Sequence, residues 1–202
     1  MDKFCAAICL SAFISMAIAT PVIPWVYGTC EDNDHTYMNE FDSEKFFNGT
    51  WYESFSRGVY LFEDNGICPA FQSKITGDSV KFFFYHCVHQ DRKWENLTGT
   101  AKFSEMEGSQ FVMLFHSLAD LDVAVVPFSV IDTDYKNYAV LYSCQEAFGM
   151  KLEMVLAYTR KRNDKSKFLK VKRAIEAAKL DSYIFTERYC YTHYCEGDEP
   201  KL

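Results

Sequence analysis

The stretch Asn48-Gly49-Thr50-Trp51-Tyr52 begins a long series of predicted β segments, and two other short stretches lie near the end of that series. Thr133-Asp134-Tyr135-Lys136-Asn137-Tyr138-Ala139 accompanies the seventh segment, and Tyr158-Thr159-Arg160 ends the eighth. Runs rich in β-branched and aromatic residues alternate here with Gly, Asp and Asn turn residues, which is typical of strands. The predicted strands cover residues 51–61, 71–75, 80–88, 93–103, 110–116, 123–131, 135–144 and 151–160. Strands of such even size and spacing predict a sandwich or an up-and-down barrel.

One amphipathic helix is predicted after the last strand, over residues 164–180. Its apolar positions recur at intervals of three and four residues, as one face of a helix requires, and they are Phe168, Val171, Ile175 and Ala178. Asn163 or Asp164 is positioned to cap the first turn. The basic residues between the apolar positions predict a solvated face in preference to an anion-binding surface. Residues 41–47 predict a short helical turn, and residues 182–194 predict an extended tail.

Length, composition and charge limit the class of protein. A chain of 202 residues is long enough for one domain and a sorting signal. Aromatic residues make up 17% of it, so many rings must fill a core or line a cavity. A net charge of −7 and a pI of about 5.2 are unlike those of nucleic-acid-binding proteins. We therefore expect no nucleic-acid partner.

Residues 1–19 have the pattern of a secretory signal peptide. Residues 4–19 carry no charge and end in Ala17-Ile18-Ala19, a small-x-small cleavage pattern, while cleavage near Gly28 is the alternative. This run is short for a hydrocarbon core of about 30 Å, and no basic stop-transfer cluster follows it, so we expect no stable membrane insertion. The expectation is a secreted, extracellular protein with one domain over residues 20–202. Its barrel covers about 50–160, its helix about 164–180 and its tail 181–202.

Removal of the signal peptide would leave six cysteines, which are Cys30, Cys68, Cys87, Cys144, Cys190 and Cys195. An even number of cysteines in an oxidising compartment predicts disulfide bonds, although the number alone leaves their pairing open. None of the spacings is typical of a metal site, so neither a metal nor a cofactor is expected. Two sequons, at Asn48 and Asn96, predict N-glycosylation.

Three of these stretches, in this order and spacing, resemble the motifs of the lipocalin family. Gly49 and Trp51 match its G-x-W element, residues 133–135 match its T-D-Y element, and Arg160 matches its arginine. The run over residues 133–144, T-D-Y-K-N-Y-A-V-L-Y-S-C, is most similar to the bilin-binding lipocalins of insects and their relative apolipoprotein D. The resemblance implies an all-β fold, an eight-stranded antiparallel up-and-down barrel with one C-terminal α-helix packed outside.

The resemblance also implies structural roles and disulfide pairings. Trp51 would plug the closed end of the barrel beneath Arg160, a contact worth about 0.5–2 kcal/mol, and Gly49 would permit the tight entry into the strand. Together with Thr133, Asp134 and Tyr135 these residues form a structural motif, and no catalytic residue is expected. The implied bonds are Cys30–Cys144 and Cys68–Cys190. Cys87 and Cys195 depart from the family pattern, and we expect a third bond between them, the alternative being two free thiols.

Side chains alternate across a strand, so the interior set can be predicted from the positions of Trp51 and Arg160. That parity selects Glu53, Phe55 and Arg57 in the first strand and Met154, Leu156 and Tyr158 in the eighth. The alternation of the family selects Ala139, Leu141 and Ser143 in the seventh. The third and fifth strands have apolar residues on both faces, and there we favour Phe82, Phe84, Phe111, Met113 and Phe115 over Val112, Leu114 and His116.

The resemblance implies a binding and transport protein for a small hydrophobic ligand, such as a bilin or other tetrapyrrole, a carotenoid, a retinoid or a fatty acid. Glu53, Arg57, Tyr158 and Ser143 are the predicted contacts for the polar end of that ligand. In a second interpretation the rings only pack against one another in a filled core. In a third, open-end loops at residues 66–69 and 118–122 bind a protein partner, such as a protease or receptor.

Neither catalysis nor haem binding is expected. One lipocalin enzyme uses a free cysteine inside its barrel, and Cys87 could imitate that cysteine. Its neighbours His86 and His89 do not share its face, however, so no base is placed beside it, and we do not expect an enzyme. Haem ligation through a single histidine would fall to His116, and it is not expected either.

Overall fold

The computed structural model describes residues 25–30, 37–58, 66–116, 122–180, 186–191 and 193–202. The predicted signal peptide and most of the 118–122 loop lie outside these ranges. The elements are β1 (Val26–Tyr27), α1 (Ser43–Phe46), β2 (Gly49–Arg57), β3 (Gly66–Thr76), β4 (Ser79–Val88), β5 (Trp94–Lys102), β6 (Gln110–His116), β7 (Asp122–Thr133), β8 (Tyr138–Ala147), β9 (Met150–Thr159), α2 (Phe168–Ala177) and β10 (Thr186–Glu187). Among these residues, no helix has the length and apolar character needed to cross a membrane.

Strands β2 to β9 form a closed antiparallel barrel. Each strand pairs with the next along the chain, and β9 also pairs with β2, which closes the barrel. The predicted all-β, eight-stranded, up-and-down barrel with one C-terminal helix is therefore confirmed. The two short strands lie alongside it, β1 on β9 and β10 on β2.

The helix α2 packs outside the barrel, as predicted, but it is shorter than residues 164–180. A 3₁₀ turn over Lys165–Lys167 precedes it, and Asp164 caps that turn by accepting a hydrogen bond from the Ser166 amide. Its buried face contacts the outer faces of β8 and β9 in a second hydrophobic cluster. This cluster contains Val171, Ala174, Ile175 and Ala178 of the helix region and Val140, Tyr142, Val155 and Ala157 of the strands.

Several strand boundaries differ from the prediction. The first barrel strand ends at Arg57 instead of residue 61, the seventh extends to Ala147, and two strands begin three or more residues away from the predicted position. The second barrel strand begins at Gly66, so residues 66–69 are strand and not an open-end loop. A bulge between Ile67 and Ala70, with Cys68 at a φ of 60°, accommodates Pro69 there. The seventh barrel strand begins at Tyr138 instead of 135, because Asp134 Oδ1 accepts hydrogen bonds from three following amides and holds the chain in a turn.

Trp51 and Arg160 close one end of the barrel, which we call the closed end, where β2 begins and β9 ends. The Arg160 guanidinium carbon lies 3.5 Å from the centroid of the Trp51 ring. The same guanidinium donates hydrogen bonds to the carbonyl oxygens of Tyr135 at 3.2 Å and Thr50 at 3.0 Å. Trp51 Nε1 donates to the carbonyl oxygen of Phe46 at 3.0 Å. Burial lowers the pKa of Arg160 to about 10, which still leaves it charged at neutral pH.

The opposite end, which we call the open end, has an unusual wall. Strand β2 pairs with β3 only through residues 49–52, and its second half is left without that neighbour. The tail strand β10 occupies this position, with Thr186 opposite Ser56 and Glu187 opposite Phe55. The C-terminal tail therefore completes the barrel wall between β2 and β3 near the open end.

Three disulfides are present, between Cys30 and Cys144, Cys68 and Cys190, and Cys87 and Cys195. They are the two pairings that the resemblance implied and the third that we expected. Cys87 thus carries no free thiol, which contradicts the hypothesis of a thiolate nucleophile. Two of the bonds attach the tail to β3 and β4.

Replacing Arg160 with Ala is expected to lower the free energy of unfolding by about 2–4 kcal/mol, because the stacked cation and its hydrogen bonds to carbonyls are lost together. Chemical unfolding followed by circular dichroism measures this. Arg173→Ala is the matched control, since Arg173 lies on the exposed face of α2, and it should change stability by less than about 0.5 kcal/mol. Equal stability of the two variants would show that the closed end does not depend on Arg160.

Candidate functional site

Most of the predicted interior residues do face the inside of the barrel. One hydrophobic cluster contains Phe82, Phe84, Phe111, Met113, Phe115, Leu141, Leu156 and Tyr158, with Ala139 beside them. Ser143 and Met154 are paired with each other across β8 and β9 and are both buried. The ambiguous strands β4 and β6 thus present the favoured faces inward, while Val112 is exposed.

Aromatic rings fill the closed end. Phe47, which follows α1, contacts Phe82 and Phe111 at centroid distances of 5.5 and 5.2 Å. Phe111 in turn contacts Phe128 at 5.6 Å, and Phe46 lies 5.5 Å from Trp51. The interpretation of a filled core therefore applies to the interior at the closed end. The interior side chains nearer the open end are Phe84, Phe115, Leu156, Met154 and Ser143.

The predictions for Phe55 and Arg57 are wrong, because β2 contains a bulge. Glu53 lies opposite Tyr158, but Phe55 lies opposite Ala157, so Ser54 is an extra residue and the alternation changes there. Phe55 faces outward, beneath the helix, with its ring 4.9 Å from that of Phe168. Arg57 also faces outward, 4.0 Å from Glu153. Ser56 takes the interior position instead, opposite Leu156.

A cluster of polar side chains lies inside the barrel toward the open end, and we call it the polar cluster. It consists of Glu53, Ser56, His86 and Arg188. Arg188 Nε lies 3.2 Å from Glu53 Oε1 and donates a hydrogen bond to Ser56 Oγ at 2.9 Å. The Glu53 side chain is fully buried, and that of Arg188 is 14% exposed. The Ser143 hydroxyl also faces inward and has no hydrogen-bond partner among the described residues.

His86 is a buried, neutral member of this cluster. It continues the inward alternation of Phe82 and Phe84 on β4, and burial lowers its pKa to about 4, with a further contribution from the charge of Arg188. Glu95 lies opposite on β5, 4.0 Å from His86 Nε2, and a carboxylate would raise this pKa. The Glu95 side chain is 59% exposed, however, so solvent screens it and the burial of His86 dominates.

Sequence reasoning missed Ser56, His86 and Arg188 as interior residues. Nothing in the strand pattern reveals the bulge at Ser54. The expected Cys68–Cys190 bond did indicate that residue 188 lies near β3, but the insertion of the tail into the wall depends on long-range pairing. Of the other candidates, His116 forms a hydrogen bond with Thr100 Oγ1 at 3.0 Å, and the described residues include no group of three or more metal-binding side chains.

Comparison with known proteins gives one family and several similar structures. The family model described as Triabin matches residues 21–167. The Lazarillo protein of Schistocerca americana is 23% identical over 171 residues, covering 82% of this chain and 78% of that protein.

Two solved structures illustrate the similarity of fold. Insecticyanin from Manduca sexta matches with a TM-score of 0.68 at 20% identity, covering 85% of this chain and 91% of that one. The amine-binding protein of Rhodnius prolixus, solved as its tryptamine complex, matches with a TM-score of 0.66 at 18% identity, covering 86% and 91%. At these identities the similarity shows the fold alone.

The lowered pKa of His86 predicts a loss of stability in mild acid. The folded state keeps His86 neutral down to about pH 4, whereas the unfolded chain takes up a proton near pH 6.5, so the contribution is present above about pH 6.5 and is lost as the pH falls. Between about pH 7 and about pH 5, the free energy of unfolding of His86→Gln should therefore fall by about 2 kcal/mol less than that of the wild type. Urea unfolding at the two pH values measures this, and His193→Gln, at an exposed site, is the control. Parallel losses in all three proteins would exclude a neutral, buried His86.

Proposed function

The chain belongs to the Triabin family and has the lipocalin fold, and on this basis we propose that it is a secreted carrier of one small hydrophobic ligand. The observation that carries the proposal is the composition of the barrel interior. Apolar and aromatic side chains line the part above the closed end, and a few polar groups lie together near the open end. Such a combination is typical of small-molecule sites, in which the apolar surface gives affinity and the polar groups fix orientation.

The ligand would contact the side chains that face the barrel interior above the closed end. These are Phe84, Met113, Phe115, Leu141, Ser143, Met154, Leu156 and Tyr158, joined by Ser56, His86 and Arg188. Glu53 also faces the interior, but its side chain is fully buried against Arg188 and would act on the ligand through that residue. Phe82 and Phe111 belong to the packed closed end and would form the base of the site. The tryptamine complex of the Rhodnius prolixus protein supports a small aromatic molecule as the kind of ligand that this fold can hold.

Secretion is part of the proposal. Three disulfides in one domain favour an oxidising compartment, in agreement with a signal peptide over residues 1–19 and a mature chain over residues 20–202. The sequon residues Asn48 and Asn96 are both exposed, so either side chain is accessible for attachment of a glycan. A transport role follows if the ligand is carried in extracellular fluid.

A specific observation favours protein binding at the open end as a second candidate function. Phe148, at the tip of the β8–β9 turn, is 98% exposed, and Tyr27 beside this turn on β1 is 90% exposed. Large apolar side chains at such positions are typical of contact surfaces. Purification from the native source discriminates between the two functions. A coextracted pigment or lipid supports the carrier, whereas a tightly bound protein partner together with an empty barrel supports the second candidate.

The carrier proposal predicts saturable binding of the neutral fluorophore N-phenylnaphthylamine, near one molecule per chain. Phe84→Ala should weaken this binding about tenfold, since it removes an aromatic contact from the interior wall. Phe83→Ala on the same strand is the matched control, because Phe83 points away from the interior cluster and should leave the dissociation constant unchanged.

Fluorescence titration measures both constants, and quenching of Trp fluorescence by bilin, carotenoid, retinoid and fatty-acid ligands extends the panel. Absence of saturable binding throughout this panel would contradict the carrier proposal. Equal effects of the two Phe variants would contradict the location of the site.

A further inference from the structure

The C-terminal tail brings one charged side chain into the barrel. The Arg188 amide donates a hydrogen bond to the Ser54 carbonyl at 2.9 Å, which continues the pairing of β10 with β2. Alternation along this segment sends Glu187 outward, where it forms an ion pair with Lys165 at 2.6 Å. Arg188 is sent inward, where it contacts Glu53 and Ser56. The bulge at Ser54 is what turns Ser56 inward to receive it.

Several contacts fix this part of the tail. Cys190 is bonded to Cys68 on β3, only two residues after Arg188. Asn163 exchanges two hydrogen bonds with the Cys190 backbone, each of 2.9 Å. The Cys87–Cys195 bond attaches the tail a second time, to β4. Arg188 is therefore held in place by the backbone on both sides, as a preorganised binding group requires.

The contacts of the Arg188 guanidinium use one edge of the group. Both the approach to Glu53 and the hydrogen bond to Ser56 involve Nε, and no hydrogen bond of the Nη groups to another described residue is present. A guanidinium has five donor hydrogens in a planar fork, so the Nη edge retains donor capacity. The Glu53 carboxylate, by contrast, has no accessible side-chain surface, and its Oε1 lies 3.2 Å from Arg188 Nε.

The accessible polar group in the cluster is therefore a donor. A ligand amine would have to reach a fully buried carboxylate and displace Arg188 from it, which would leave the guanidinium without its counter-ion. A ligand oxygen, in contrast, could accept from the Nη edge while the Glu53–Arg188 pair stays intact. Of the other facing groups, His86 is neutral and Glu95 is exposed at the rim, where solvent screens its charge.

We infer that Arg188, delivered by the tail, is the specificity-determining residue of the barrel. It binds an acceptor oxygen, a carboxylate or carbonyl, at the end of an otherwise apolar ligand, and it disfavours ligands that end in an amine. Glu53 and Ser56 are positioning residues that hold the guanidinium. This inference rests on the proposed carrier function and adds the chemical class of the ligand.

Displacement of N-phenylnaphthylamine by two matched series of ligands tests the inference. One series is indoleacetate, indoleacetamide and tryptamine, and the other is decanoate, decanamide and decylamine. Methylindole and decane are the references that lack these end groups. In the wild type, the carboxylate or amide member of at least one series should bind about tenfold more tightly than its amine. Comparison of the carboxylate with the amide in each series then identifies which kind of oxygen Arg188 binds.

Arg188→Gln should reduce the affinity for the preferred acid or amide by about tenfold and leave the affinity for the reference almost unchanged. The ratio of the affinity for the acid or amide to the affinity for the reference separates two causes. Loss of recognition lowers this ratio, whereas loss of structure weakens the binding of both ligands. Arg173→Gln, the same change on the exposed face of the helix, is the control. Glu53→Gln should act in the opposite direction and raise the affinity for the carboxylate relative to the reference, because Arg188 then lacks its counter-ion.

Three results would overturn the inference: amines that bind as tightly as the acids and amides, an affinity ratio that Arg188→Gln leaves unchanged, or a failure of every member of both series to displace the fluorophore. Binding of N-phenylnaphthylamine itself reports on the carrier function separately. Saturable binding of that probe together with any of these results would retain the carrier and reject the role of Arg188.

Discussion

The stacking of Arg160 on Trp51 is the contact on which the rest of the structure depends. It joins the first barrel strand to the last, and the same guanidinium binds carbonyl oxygens of the turn before β8 and of the residues around β2. Strands brought together in this way close the sheet on itself, which removes the unpaired edges that an open sheet would expose. Closure also separates the closed end, which aromatic rings fill, from the open end.

A second constraint acts at the open end, where one extra residue changes the chemistry of the interior. The bulge at Ser54 sends Phe55 beneath the outer helix and Ser56 into the barrel. It coincides with the point at which β2 loses β3 as a neighbour and gains β10. The tail thereby fills a gap in the wall and places Arg188 beside Glu53, while two disulfides hold it there. The disulfides thus fix the backbone that presents Arg188 to the barrel interior.

The aromatic residues of the interior form a packed core near the closed end, where their rings contact one another. Toward the open end the interior also contains the ion pair of Glu53 and Arg188. This pair brings no net charge into the interior, although the removal of its two charges from water costs free energy that their mutual attraction must offset.

The sequence by itself determined the barrel, its motif residues Gly49, Trp51 and Arg160, the outer helix and the inward faces of β8 and β9. For β4 and β6, which have apolar residues on both faces, it only favoured the faces that the structure turns inward. These features follow from local alternation, helical periodicity and three short stretches of a known family, all of which can be read along the chain. The inward positions of Ser56 and Arg188 and the outward positions of Phe55 and Arg57 were decided by the tertiary structure. A bulge is set by how two strands pair, and the position of the tail by contacts between residues more than a hundred positions apart, so neither leaves a periodic signal in the sequence.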